Sequence, residues 1–195
     1  MSEEMLVRHC APTLAGLKTG NLFSCEFADE KSMRISLRRW NRILGKKGLR
    51  LLPLRFCKNR GLIYVFRPSM LSVDLQDYTA SRLLQERGYT APDPSLCVSR
   101  LIRRIAESEE FPHEIGLFLS YPPEDVCGFI ENGGEGCKCA GLWKVYGDEE
   151  KCRSLFAKYR KCTAAYILQL SRGRSVERLA VGKAAVNFAS KKGRQ

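Results

Sequence analysis

The clearest periodic segment runs from Asp29 to Leu44, where Met33, Leu37, Trp40 and Leu44 fall on one face of a predicted helix. Its other side carries Arg34, Arg38 and Arg42 four residues apart, and Gly45 is a suitable stop. Lys46 and Lys47 follow at the negative end of the helix dipole. The period then changes. Leu49 to Cys57 and Leu62 to Arg67 read as strands joined by the turn Lys58-Asn59-Arg60-Gly61. Pro53 demotes the first arm to an edge strand or a bulge. Ser69 to Arg87 is helical in pattern, with a break near Asp74. Asp93-Pro94 opens another helix, which buries Val98, Leu101, Ile102 and Ile105.

Proline and glycine punctuate the central stretch of the chain. A short helix is expected from Pro112 to Leu119, and Tyr121-Pro122-Pro123 breaks it. A second helix starts at Pro123 and stops at Asn132-Gly133-Gly134. Leu142 to Tyr146 reads as a strand. Asp148 caps a long helix whose stripe, at 152, 155, 156, 159, 162, 163, 166, 167 and 170, places Cys152 and Cys162 in the core. Val176 to Phe188 reads as a last helix. Before all of these, Thr13 to Lys18 and Leu22 to Phe27 read as two short strands around the turn Thr19-Gly20-Asn21.

The fold class is therefore α+β: a small antiparallel sheet covered by helices. With the helices of 93–132 set aside, the order becomes βαββαβ, which is ferredoxin-like. That order puts Leu142 to Tyr146 in one sheet with Thr13 to Lys18. Residues 1–171 form one domain, and 172–195 a basic C-terminal helix or tail.

Charge divides the chain into blocks. The formal net charge is +12. Residues 31–60 carry eleven Lys or Arg and no acid, whereas 107–150 carry eleven acids and two lysines. Such polarity suits an anionic ligand or an acidic partner. The opening MSEEMLVRHC has two acids and no long apolar run, and no window approaches the ~18 apolar residues of a membrane helix. A cytoplasmic protein without a membrane span is expected, its nine cysteines reduced.

The candidate chemistry gathers between Phe111 and Asp148. His113-Glu114 offers a base or a ligand, but not the HExxH pattern, because Leu117 and Phe118 follow. Cys137-Lys138-Cys139 is a candidate metal or redox pair, with His9, Cys10 and Cys127 available only if folding brings them near. Cys10 beside His9 is the one adjacent thiol–base pair. No Walker A, G-x-G-x-x-G or G-x-S-x-G motif occurs. The basic block, with Arg34, Arg38, Arg42, Lys46 and Lys47, forms a candidate nucleic-acid surface. Trp40, Phe56, Tyr64 and Phe66 are available for base stacking on an open sheet.

Several motifs carry a resemblance. They are His113 to Leu119, Tyr121-Pro122, Glu124-Asp125-Val126, Gly128-Phe129-Ile130 and Trp143 to Asp148, with His9-Cys10, Pro12 to Gly16 and Gly20 to Phe23. Over about residues 5–165 the chain resembles DUF3793, a family of unknown function found mainly in anaerobic Gram-positive bacteria. Ser120 departs from the glycine expected there, which bears on the turn before Tyr121. The resemblance implies no activity, so catalytic residues and cofactors stay unassigned. The residues themselves point to an accessory binding protein for an anionic ligand. Its pocket is expected to draw on Lys18, His113, Glu114, Trp143, Lys144 and Tyr146, with positive character added by the amides of the short helix. The alternatives are nucleic-acid binding through 31–60 and the tail, and a metal- or redox-linked role through Cys137, Cys139 and His113.

Overall fold

The computed structural model describes residues 1–89, 93–108 and 110–182. The chain opens with a helix, α1 (Glu3–Leu14), capped by the Ser2 hydroxyl and buried through Leu6, Val7, Cys10, Ala11 and Leu14. The strand expected at Thr13 to Lys18 does not form. Thr13 and Leu14 complete the helix, and Gly16, at φ +72°, turns the chain out of it. The helical period is visible only when the polar lead is read together with HCAPTL, and the short window from Thr13 onward hides it.

β1 (Gly20–Glu26) comes next, then α2 (Glu30–Leu44), whose cap is the Asp29 carboxylate accepting from the Ser32 amide. β2 (Arg50–Cys57) and β3 (Arg60–Phe66) make the expected hairpin. The three strands form an antiparallel sheet in the order β1-β3-β2. Pro53 lies on an edge strand next to a register shift between Pro53 and Arg55. The shift turns Phe56 to the same face as Leu51.

Alternation splits the sheet into two apolar faces. Phe23, Cys25, Leu51, Ile63 and Val65 pack with α1 and α2. Tyr64, Phe66 and Leu54 face a second helical layer, made of α3 (Pro68–Asp74), α4 (Tyr78–Glu86), α5 (Pro94–Glu107), α6 (Ile115–Phe118) and α7 (Pro123–Glu131). Helices thus cover both faces, and Tyr64 and Phe66 are core residues rather than an open stacking platform. The expected helix from Pro112 to Leu119 shortens to the single turn α6.

β4 (Cys139–Ala140) and β5 (Lys144–Val145) pair with each other, not with the main sheet. The ferredoxin-like arrangement is therefore not formed among the described residues. Its first strand is a helix, and its last is one arm of a separate hairpin. Trp143 and Val145 bury instead against α8 (Glu149–Ser171), in a small third cluster. Cys152, Phe156 and Tyr159 occupy the buried stripe of α8 as expected. Cys162 does not reach the core. It is half-buried, because the second half of α8 runs along the rim, where Ile167 and Leu168 are exposed. The last predicted helix appears as α9 (Val176–Leu179), and residues 183–195 lie outside the described residues. Among the described residues no helix is long and apolar enough to cross a membrane.

One buried cation ties the layers together. Arg67, just past β3, donates to the carbonyls of Thr13 (2.7 Å), Leu14 (2.8 Å), Val181 (2.8 Å) and Lys47 (3.2 Å). Two of these are C-terminal carbonyls of α1, where the helix dipole favours a positive charge.

Candidate functional site

Two prolines set the geometry of the candidate site. Pro122 and Pro123 break the chain after α6 and start α7, which puts Asp125 in its first turn. The Asp125 carboxylate is buried. It accepts from the Trp143 indole (2.7 Å), the amides of Tyr146 (2.7 Å) and Gly147 (2.8 Å), and the Cys152 thiol (3.3 Å). Burial, reinforced by this bond, pushes the Cys152 thiol up to about 12. Three of these donors fix the segment from Trp143 to Gly147 against α7, and the fourth links α7 to α8.

The result is a cleft of about 370 Å³ between β1, the His113 segment, α7 and the 142–144 loop. Its walls are mainly apolar, with Leu22, Phe111, Leu119, Val126, Phe129 and Leu142 among them. Trp143 is the inner wall, stacked on Tyr121 at 4.7 Å and edge-on to Phe156 at 4.5 Å. The rim is polar. The His113 ring meets Phe129 at 4.9 Å, and the Lys144 ammonium lies 5.9 Å from the same ring and donates to the Gly134 carbonyl (2.6 Å). His113 and Lys144 are exposed. Asp125 is the one carboxylate on the cleft among the described residues, and its hydrogen bonds are already made.

Of the six residues expected in the pocket, His113, Trp143 and Lys144 come together. The other three go elsewhere. Glu114 is buried behind the cleft, where it meets Arg104 Nε at 2.6 Å and accepts from the Tyr89 hydroxyl at 3.1 Å. Adjacent residues on a helical turn diverge by about 100°, which separates it from His113. The Tyr146 ring packs on Gly128, so closely that a Cβ there would lie 2.5 Å from it. The amides of Ile115, Gly116 and Leu117 bond the carbonyls of Pro112, His113 and Glu114, so the short helix leaves none of these three for an anion.

Lys18 sits behind the cleft, not in it. It is only 5% exposed, with its ammonium 5.2 Å from the Tyr121 ring centre and 5.9 Å from that of Tyr159. Burial drags its pKa down to about 8. Tyr121 and Tyr159 also wall a second opening, a groove of about 740 Å³ that holds Thr19, Asp74, Ser120 and Lys151. Ser120 there has φ +56°, the region where glycine costs least. Its hydroxyl offsets that strain by accepting from the Thr19 amide (2.9 Å) and donating to Asp74 (3.1 Å). Thr19 donates to the same carboxylate. Burial pushes Asp74 up, against the pull of these hydrogen bonds.

The remaining candidates stay apart. Cys137 and Cys139 are half-buried at the small hairpin, and no group of three His, Cys, Asp or Glu placed to hold a metal occurs among the described residues. His9 stacks on Phe23 at 5.0 Å, and Cys10 is fully buried with its thiol pushed well up by burial, which disfavours a thiolate. Arg34, Arg38 and Arg42 are exposed along α2, Lys46 is exposed in the turn just after it, and Lys47 is half-buried. Tyr121, Asp125 and Phe129 lie in motifs that carry the resemblance, but nothing in their pattern marks them as lining a cleft. Asp125 reads as a favourable charge at a helix start, and nothing local shows that its partners lie 18 to 27 residues away.

Residues 6–180 match the family model described as a protein of unknown function, DUF3793. No curated protein and no solved structure matches the chain.

Proposed function

This chain belongs to the DUF3793 family, whose function is unknown, and from that premise we propose that it is a binding protein for a small amphipathic anion. The observation that carries this reading is the contrast within the cleft. Apolar walls meet a rim bearing a cation and a histidine, and the one carboxylate on the cleft among the described residues is already engaged by four donors. An apolar body would fill the space against Trp143 and Phe129, and a carboxylate or phosphate head would lie at Lys144 and His113. Titration calorimetry with octanoate and octanol tests this. The acid should bind more tightly than the alcohol. Lys144→Met should weaken octanoate about tenfold, roughly 1.4 kcal/mol, without changing octanol. His113→Gln should weaken octanoate less and leave the melting temperature within about 2 °C, since surface substitutions stay within roughly 0.5 kcal/mol. Equal binding of the acid by wild type and Lys144→Met would remove the reading.

A second reading rests on α2. It packs on the side of the sheet opposite α6 and α7, so its basic face points away from the acidic stretch. Arg34 is tied to Glu30 at 2.6 Å and lies over Phe56, whereas Arg38, Arg42 and Lys46 have no ion-pair partner among the described residues. These three cations would track a nucleic-acid backbone. Binding to a single-stranded oligonucleotide should then fall with salt at a log–log slope of about −2, near −0.7 for each phosphate. Arg38→Glu with Arg42→Glu should abolish it. A slope near zero, or binding unchanged in the double variant, refutes this second reading.

A further inference from the structure

We propose that the outer edge of β1 takes an extended peptide segment of another protein as a fourth strand, with an apolar side chain in the adjoining cleft and an acidic group at Lys144. The inference rests on the reading given for the cleft where it places the acidic group, whereas the backbone pairing stands on β1 alone.

The sheet has two edges, β1 and β2. At the ends of β1 the Arg67 amide donates to the Thr19 carbonyl and the Phe27 amide to that of Asn59, each at 2.9 Å. Both bonds lie on the register that pairs β1 with β3. Bonded and non-bonded residues alternate along each strand of an antiparallel ladder. Residues 21, 23 and 25 therefore bond β3, and the amides and carbonyls of Leu22, Ser24 and Glu26 point outward. No hydrogen bond reaches these backbone groups among the described residues. Ser24 and Glu26 are exposed and Leu22 is half-buried, so water reaches this edge.

The opposite edge is closed. On β2 the Asn41 side-chain amide donates to the Leu51 carbonyl (2.8 Å), and its oxygen accepts from the Leu51 amide (2.9 Å). Two residues on, Pro53 has no amide to offer, and the register shifts beside it. Such features prevent a further strand from pairing. Between Leu22 and Glu26, β1 has no proline and no register shift, and its one charge, Glu26, is paired with Arg60 at 2.7 Å.

The free groups identify the occupant. Amides and carbonyls repeating every second residue match another backbone in extended form, so the ligand is a peptide. Leu22 packs against the core cluster of Tyr64 and Phe66, and is a wall of the cleft of about 370 Å³. A residue opposite Leu22 on an added strand would put its Cβ about 5.5 Å from that of Leu22, on the same face. That place calls for an apolar side chain, since Phe111 and Leu142 line the same cleft and are exposed. Lys144 and His113 on the rim, in a chain of net charge +12, favour an acidic neighbour. The partner segment is thus extended and acidic, with apolar residues at alternate positions.

The test pans the whole native chain against a display library of random peptides about twelve residues long, chosen to exceed the edge, and measures one selected peptide by fluorescence anisotropy. Selected peptides should alternate apolar residues and carry an acid. Ser24→Pro removes an outward amide without touching the ladder to β3, as Pro53 does on β2. It should weaken the peptide about tenfold and leave octanoate binding unchanged. A methyl scan of the peptide's own amides needs no variant to fold. Methylation should cost about tenfold at alternate positions, where the amide faces β1, and under about threefold at those between. Selection of no peptide, equal losses at every methylated position, or unchanged affinity in Ser24→Pro overturns the proposal. So does a dimer of the free chain in sedimentation that Ser24→Pro abolishes, because the edge then belongs to a second copy. Octanoate that fails to bind while the alternating methylation pattern holds removes the reading of the cleft and keeps the added strand.

Discussion

Asp125→Ala is expected to cost about 3–5 kcal/mol and to open the cleft. The substitution leaves the Trp143 indole, the amides of Tyr146 and Gly147 and the Cys152 thiol without an acceptor in a buried setting. Each unsatisfied buried group costs roughly 1–3 kcal/mol, and relaxation of the loop toward water recovers part of the total. For a chain of this size the loss corresponds to a melting temperature lower by roughly 6–20 °C. Asp125→Asn keeps one acceptor oxygen and should fall between wild type and alanine. Acrylamide quenching provides the structural check. Trp143 is buried between Tyr121 and Phe156 and should become accessible in Asp125→Ala, while Trp40, on the buried face of α2, should not. Unchanged quenching with unchanged stability would show that the carboxylate does not hold the loop.

Arg67→Met should be of similar size, about 3–5 kcal/mol, through a different route. Here a buried cation is removed, and the carbonyls of Thr13, Leu14, Lys47 and Val181 lose their donor. Removing one side of a buried, fully bonded charge leaves the other side uncompensated. Arg67→Lys should recover less than half of the loss, because a compact ammonium cannot span four carbonyls presented to a planar fork. Urea unfolding measures this as a lower midpoint. A constant slope with urea would show that the native state kept its compactness. A wild-type midpoint in Arg67→Met would mean that water replaces the guanidinium at no cost.

Much of the fold can be read locally. The α2 stripe, the Asp93 and Asp148 caps, the β2–β3 hairpin and the break near Asp74 all lie where the pattern puts them. Each depends on residues within one or two turns of one another, so a short window contains its cause. The misreadings share the opposite property. Thr13 to Lys18 looks extended because β-branched Thr13 and Gly16 dominate a six-residue window, while the helix that claims Thr13 begins ten residues earlier. Leu142 to Tyr146 has strand composition, but its partner is the nearby Cys139–Ala140 and not the main sheet. Cys162 lies on the apolar stripe of α8, and only the packing against that helix decides how far along it burial extends.

The candidate site shows the same division. The sequence by itself determined that His113, Trp143 and Lys144 fall in the acidic stretch between Phe111 and Asp148, that the cations of α2 share a face, and that α and β elements mix along the chain. These properties come from spacing, composition and backbone restriction, which act over a few residues. Only the tertiary structure decided that Glu114 faces Arg104 and Tyr89 and not the cleft, that Asp125 holds Trp143, Tyr146, Gly147 and Cys152, and that Lys18 is boxed by Tyr121 and Tyr159. Thr19 and Ser120 bond across a separation of 101 residues. Such contacts arise from how two sheet faces are covered by helices, and burial, not residue type, then sets whether a lysine is a surface charge or an enclosed amine.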